Sequence, residues 1–208
     1  MSFKDHVLVR NPVFGLGVGI FPVLALSYRF DTAWIAGVLS ILLILLGKGT
    51  YNLVKEAFPA SILMYARIAI LAFWVALLEI LLEAYVPRVR DSLGIYLPLL
   101  AVNTFILGTI LPAGTSKKID LYGSLLFGLG YLITIGSMGA VREILGSGTL
   151  TLLSWEGGTF QYGILPPPMQ PIRFFVLPAG GLILYGYLKA GFRYLILRLT
   201  RKPNEEAP

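Results

Sequence analysis

The sequence predicts an all-α integral membrane protein with six transmembrane helices and no soluble domain of its own. Of the 208 residues, 56% are hydrophobic and 13% are charged, and the mean hydropathy is +0.78. A water-soluble domain of this composition would lack the polar side chains needed to cover its surface. A span needs roughly 20 apolar residues, so six spans leave only short connections and tails and no separate catalytic domain.

Six apolar runs predict the spans, at residues 11–28, 32–47, 60–86, 93–113, 120–141 and 172–192. No small-residue cleavage site follows the charged segment Met1–Arg10, so we expect an uncleaved first helix. Segments on the side of the N-terminus hold more Lys and Arg than the others, mainly because of the last span and tail, with Lys189, Arg193, Arg198, Arg201 and Lys202. The positive-inside rule therefore predicts a multi-pass protein with both termini in the cytoplasm.

The residue inventory excludes several kinds of site. Cysteine is absent and His6 is the only histidine, so disulfides, thiolate metal sites and histidine-rich zinc sites are not expected. A redox centre held by this chain alone is likewise not expected. The net charge of +6 is explained by the membrane anchor in the tail, and we predict the lipid bilayer rather than nucleic acid as the partner of these cations.

Two of the predicted spans have an unusual composition. The first contains three glycines at every second position, including Gly17 and Gly19, followed by Pro22, and the fourth contains Pro98 and Asn103. Proline removes a helix hydrogen bond, so we expect both helices to be broken. Each begins a group of three spans, which predicts two inverted three-helix repeats, at about 11–91 and 92–195, with a tail at 196–208. In such repeats the broken helices form the functional site.

Four stretches resemble the paired six-helix membrane proteins of the Rnf and Nqr complexes. They are Asn11–Pro22, Ser92–Asn103, Arg142–Leu150 and Leu177–Gly181. The family has two paralogous branches. The long Gly/Pro-rich connection and the inward termini are more similar to the Rnf E and Nqr D type than to the Rnf A and Nqr E type.

The resemblance implies a subunit of an electron-transfer complex coupled to Na⁺ or H⁺ translocation in the plasma membrane of a prokaryote. It also implies a paralogous six-helix partner of opposite topology, together with other membrane subunits. Flavins and iron–sulfur centres would belong to those partner subunits. In the family, one cysteine on each broken helix helps to hold a [2Fe–2S] cluster, and the matching positions here are Phe21 and Thr104. We therefore expect no cluster in this chain.

Charged residues within the apolar runs are further candidates. Glu79 and Glu83 share a helix face in the third span, as a candidate ion path or as an interfacial helix end. Arg142 and Glu143 are expected to cap the fifth span and to fix the Gly/Pro-rich connection at 143–171, or to pair with a partner subunit. Glycines in the fifth span are expected to allow close helix contact, namely Gly128, Gly130, Gly136 and Gly139.

Three functions agree with these features. The first is a membrane subunit of an Rnf/Nqr-like complex that has no cluster of its own and is not catalytic by itself. The second is an inverted-repeat transporter whose broken helices bind a small solute or an ion. The third is a scaffold subunit of another bioenergetic membrane complex. The fold alone does not separate them, because one fold serves several functions.

Overall fold

A computed structural model of the protein describes residues 11–110, 121–155, 158–166 and 170–200. These ranges contain eight α-helices and one two-stranded antiparallel sheet, with short 3-10 turns at 60–62, 100–102 and 173–176. In chain order the elements are α1 (Ile20–Leu26), α2 (Phe30–Val54), α3 (Leu63–Tyr85), α4 (Pro87–Leu93), α5 (Tyr96–Leu99), α6 (Thr104–Ile110), α7 (Leu121–Ser147), β1 (Thr149–Trp155), β2 (Gly158–Gly163) and α8 (Pro178–Thr200).

Three helices in the described part of the chain, α2, α3 and α7, are long and apolar enough to cross a membrane. The stretches Pro87–Leu93 and Tyr96–Ile110 pass the same test together, but they are bent by 68° at the break between them. Helix α8 is as long as α3 but is not in this group, since it carries Lys189, Arg193 and Arg198. A helical membrane protein is thereby confirmed, and the number of six spans stays a prediction.

The centre of the fold is the contact between α2 and α7, which glycines bring close together. A Cβ atom on Gly139 would lie 2.7 Å from the Cβ of Ala33 and 3.1 Å from the carbonyl oxygen of Arg29. On Gly128 it would lie 2.9 Å from the Cγ1 of Ile41. Glycine therefore permits an approach that any side chain would prevent, as expected for glycines between membrane helices.

Two helices extend beyond the apolar runs that predict them. Helix α2 reaches Val54 rather than 47, and α7 reaches Ser147 rather than 141, so Arg142 and Glu143 lie within α7 and not at its end. The charges are tolerated there because each finds polar partners in the protein. Helix α8 includes residues 196–200, which the sequence assigned to the tail. The end of the fourth run at 111–113 and the tail from 201 lie outside the described residues.

The Gly/Pro-rich connection contains a β-hairpin that the sequence analysis does not predict. Gly148, with φ of 74°, turns the chain out of α7, and β1 then pairs with β2. Leu150 lies opposite Tyr162, and the register is irregular between Thr151 and Leu153. Threonines and aromatic residues in these segments favour strands, whereas hydropathy alone indicates only a break between helices.

Candidate functional site: the cleft between the broken helices

The first apolar segment begins as a turn rather than as a helix. The Oδ1 atom of Asn11 accepts hydrogen bonds from the N–H groups of Val13 and Phe14, at 3.0 and 2.9 Å. Its Nδ2 donates to Thr134 Oγ1 at 2.9 Å and to the carbonyl of Gly130 at 3.1 Å, both on α7. Irregular backbone is tolerated at membrane depth only where protein satisfies it, and Asn11 supplies that support.

The break in this segment lies at its glycines. Gly17 and Gly19 have φ of 71° and 75°, a conformation that side chains disfavour. A Cβ on Gly19 would also lie 2.8 Å from the Cβ of Phe105. Because α1 begins at Ile20, Pro22 occupies its first turn, where a proline costs no helical hydrogen bond. The discontinuous first helix is as predicted, but Pro22 as the cause of the break is wrong.

The second broken segment is organised around Asn103. Pro98 again lies in the first turn of its helix, α5, so it does not cause this break either. Asn103 itself is extended, with φ of −64° and ψ of 119°, and its Oδ1 accepts from the N–H of Phe105 at 3.0 Å. It therefore acts as the N-cap of α6. Its buried Nδ2 has no hydrogen-bond partner within the described ranges.

The two broken segments meet in one cleft of about 420 Å³. Residues 17–22 line one wall, and Tyr96, Leu99 and residues 102–104 line the other. Of the site residues singled out in the sequence, Gly17, Gly19, Phe21, Pro22, Asn103 and Thr104 line this cleft. Pro98 is not in the lining but precedes Leu99, which is. The fold thus brings Phe21 and Thr104 to the same cleft from segments that lie far apart in the sequence.

The chemistry of the cleft does not suit an iron–sulfur cluster. Clusters are held by cysteine thiolates and in some cases by histidine, whereas Phe21 offers only carbon and Thr104 only a hydroxyl group. Phe21 is 74% exposed, so its ring does not fill the cleft from within this chain. Most of the remaining lining is aliphatic, including Val18 and Leu99. The cleft therefore presents an apolar surface that another apolar group can contact.

The carboxylates of the third span lie outside this cleft. Glu79 on α3 is half-buried, and its Oε1 accepts from Nη2 of Arg90 at 3.1 Å, with Arg90 on the neighbouring helix α4. Glu83, one turn later, is exposed. Arg90 also contacts Asp91, at 3.4 Å. Glu79, Arg90 and Asp91 thus form a charged group between α3 and α4.

Arg142 is a structural centre whose contacts the sequence does not reveal. Its guanidinium group is buried, with the residue 1% exposed, and it donates to acceptors on two segments that are far apart in the sequence. These acceptors are the carbonyl of Leu24 at 2.7 Å and the hydroxyl of Ser27 at 2.9 Å, and the carbonyls of Phe175, Val176 and Leu177 at 3.0, 2.7 and 3.3 Å. Arg142 therefore ties the end of α1, whose first residues line the cleft, to the turn before α8.

Glu143, the next residue, accepts hydrogen bonds, whereas Arg142 donates them. Its carboxylate accepts from the N–H of Phe30 at 2.7 Å, at the start of α2. It also accepts from the N–H of Thr151 at 2.8 Å and from its hydroxyl group, both on β1. Negative charge is favourable at a helix N-terminus, so Glu143 fixes α2 and the hairpin together. The expectation that this pair fixes the following connection agrees with these contacts.

Comparisons with known proteins show which family this sequence resembles. The family model described as "Rnf-Nqr subunit, membrane protein" matches residues 1–189. The E subunit of the Na⁺-translocating ferredoxin:NAD⁺ oxidoreductase complex of Acetobacterium woodii is 29% identical, over 88% of this chain and 89% of its own length. The E subunit of the proton-translocating ferredoxin:NAD⁺ oxidoreductase complex of Clostridium ljungdahlii is 26% identical, over 90% and 85%.

A third relative shows how much of the chain is shared. The E subunit of the ion-translocating oxidoreductase complex of Shewanella denitrificans is 28% identical over 98% of this chain and 91% of its own length. Similarity therefore extends across both broken segments, the hairpin and α8 rather than being confined to a short motif. Together with the match to the family model over most of the sequence, this places the chain in the Rnf-Nqr subunit family of membrane proteins.

Proposed function

We propose that this chain is a membrane subunit of an electron-transfer complex that is coupled to Na⁺ or H⁺ translocation, and that it holds no iron–sulfur cluster of its own. The observation that carries the proposal is the cleft, which is lined by Phe21 and Thr104, the two residues that the family resemblance matches to cluster cysteines. The names of the relatives, which specify ferredoxin:NAD⁺ oxidoreductase complexes, support the first part. The donor atoms in the cleft support the second.

A protein partner covers the cleft in this proposal. Residues 15–19 are non-helical, and Gly15 and Leu16 are exposed in the isolated chain. The N–H groups of Gly15 and Leu16 bond to the carbonyl of Asn11, but non-helical backbone at membrane depth is tolerated where protein buries it, so protein rather than acyl chains is expected there. The partner is a paralogous six-helix protein of opposite topology, whose own broken helices face this cleft. Phe21, an exposed residue of the lining, would contact it.

The proposed topology has six spans in two inverted repeats and both termini in the cytoplasm of a prokaryotic cell. Helices α2, α3 and α7 are three of these spans. The first span is the turn together with α1, the fourth is the bent segment that contains α5 and α6, and the sixth is α8. Flavins and iron–sulfur centres are assigned to the other subunits.

Introducing cysteine at positions 21 and 104 tests the proposal at the cleft. In the purified wild-type complex, electron paramagnetic resonance should show no [2Fe–2S] signal that depends on this chain. The double variant Phe21→Cys/Thr104→Cys should gain such a signal, because the partner would supply the other two thiolates. The matched control Phe21→Ser/Thr104→Ser makes the same sites small and polar without thiolate, and it should gain none.

Two results would overturn parts of the proposal. A reducible cluster in the wild-type complex that disappears with this chain would refute the absence of a cluster. Purification of the chain without any redox subunit would instead favour a transporter, the second candidate. One observation favours that candidate: a cleft of about 420 Å³ between broken helices lies within the size range of small-molecule sites. If the chain is a scaffold subunit of another complex, it should purify with partner subunits, and the purified complex should show no ion-coupled electron transfer.

A further inference from the structure

The β-hairpin has a polar face and an apolar face, and on β1 it is the polar face that is turned toward the protein. Thr151 on β1 is 2% exposed, and it is held by Glu143. Phe160 and Tyr162 on β2 are 64% and 61% exposed. Since side chains alternate along a strand and Tyr162 pairs with Leu150 while Gln161 pairs with Thr151, the face turned away is the apolar one.

This apolar face carries no charge. Residues 149–155 and 158–166, which the structure describes, contain no Asp, Glu, Lys or Arg. A hairpin that faced water would be expected to bury apolar residues and expose polar ones. Here Thr151 is buried, whereas Phe160 and Tyr162 are exposed together with Gln161. Exposed apolar patches of this kind mark contact with a membrane or with another protein.

The chain after the hairpin continues the same surface. Ile164, Ile172, Phe174 and Leu177 are all exposed and lead directly into α8. Arg173, in the middle of this stretch, is exposed as well. Aromatic side chains together with an exposed arginine are typical of the lipid headgroup region, where the rings lie among glycerol groups and the guanidinium contacts phosphate.

The backbone of β2 limits how deep the hairpin can lie. In the described sheet β2 pairs only with β1, so its outer edge presents N–H and C=O groups that need partners. Hydrocarbon cannot satisfy them, whereas water and headgroups can. The hairpin therefore fits the level of the headgroups and not the centre of the bilayer.

We infer that the hairpin lies in the headgroup region of the phospholipid bilayer, with Phe160 and Tyr162 toward lipid and Arg173 on lipid phosphate. The inference rests on the topology proposed above, in which α8 is the sixth span, because the hairpin must then lie at a membrane surface. Its role is to hold the end of α7 and the start of α8 at the membrane interface. Through Glu143 it also holds the start of α2 there.

The absence of cysteine makes single-cysteine labelling direct. The complex is placed in phospholipid nanodiscs with a spin label on one introduced cysteine, and the label reports its surroundings. The three variants are Tyr162→Cys, Gln161→Cys on the opposite face of the same strand, and Leu182→Cys on α8. Oxygen partitions into lipid and a charged nickel chelate into water. We expect the ratio of oxygen to nickel accessibility at 162 to approach that at 182 and to exceed that at 161.

The three labelled positions distinguish failure of the hairpin inference from failure of the proposed topology. A Tyr162 label as accessible to nickel as the Gln161 label would place the hairpin in water and overturn the inference. A Tyr162 label shielded from both reagents would indicate contact with a partner protein and would overturn it as well. If the Leu182 label is itself nickel-accessible, the proposed position of α8 as a span fails, which is a different result from failure of the hairpin alone.

Discussion

Replacement of Arg142 by lysine tests whether the geometry of the guanidinium, and not only its charge, holds the ends of the helices. The side chain makes hydrogen bonds to five acceptors, at 2.7 to 3.3 Å. A lysine ammonium has three donors at a single nitrogen. The carbonyl of Leu177 also accepts from the N–H of Gly181, so at least one of the other four acceptors would be left unpaired. Such a loss costs about 1–3 kcal/mol, and Arg142→Lys should therefore lower the free energy of unfolding by about 1–3 kcal/mol.

The assay is unfolding of the purified full-length chain in detergent, followed by near-ultraviolet circular dichroism. The matched control is Arg193→Lys, because Arg193 is an exposed arginine on α8. That change should alter stability by less than about 0.5 kcal/mol.

Hydrogen exchange adds a local measure of the same effect. Because Arg142 binds the carbonyl of Leu24 in α1 and those of Phe175 and Val176 before α8, exchange in Arg142→Lys should rise first in these two segments. The reasoning would be refuted by an Arg142→Lys protein that is as stable as the control and shows unchanged exchange in both segments.

Two further predictions concern helix packing and the ion path. Gly139→Ala places a methyl group 2.7 Å from the Cβ of Ala33 and should destabilise the chain by about 1–3 kcal/mol. Gly186→Ala, where the space is open, should be nearly neutral in the same unfolding assay. Glu79→Gln should reduce ion transport by the complex in vesicles more than electron flow, with Glu56→Gln, at an exposed carboxylate outside the candidate ion path, as the control. Equal loss of both activities, or loss of neither, would remove Glu79 from the ion path.

Much of the helical arrangement was accessible from hydropathy alone. The apolar runs predicted α2, α3 and α7 to within several residues at most ends, because membrane helices must satisfy their own backbone hydrogen bonds. Their extensions to Val54 and Ser147 were not predicted, since charged residues interrupt the apolar runs there. Hydropathy cannot reveal that Arg142 and Glu143 find partners inside the protein.

The candidate site was predicted only in part. The spacing of Gly17 and Gly19 indicated a broken first helix, and Asn103, singled out in the fourth span, lies at the second break and lines the cleft. The role assigned to Pro22 was wrong, because a proline breaks a helix only beyond its first turn, and the sequence does not show where a helix begins. The hairpin was missed because its polar face is satisfied by Glu143 from α7, and a hydropathy pattern does not record such a contact between side chains.

The sequence by itself determined that this is a helical membrane protein with two interrupted apolar segments and without a thiolate for metal chemistry. Composition is sufficient for those conclusions, since they depend on which atoms are present and on the cost of placing them in lipid. Only the tertiary structure decided that Phe21 and Thr104 line one cleft, that the breaks lie at glycines and at Asn103, and that Arg142 ties α1 to α8. Each of these depends on contacts between segments that are far apart along the chain, which no local pattern records.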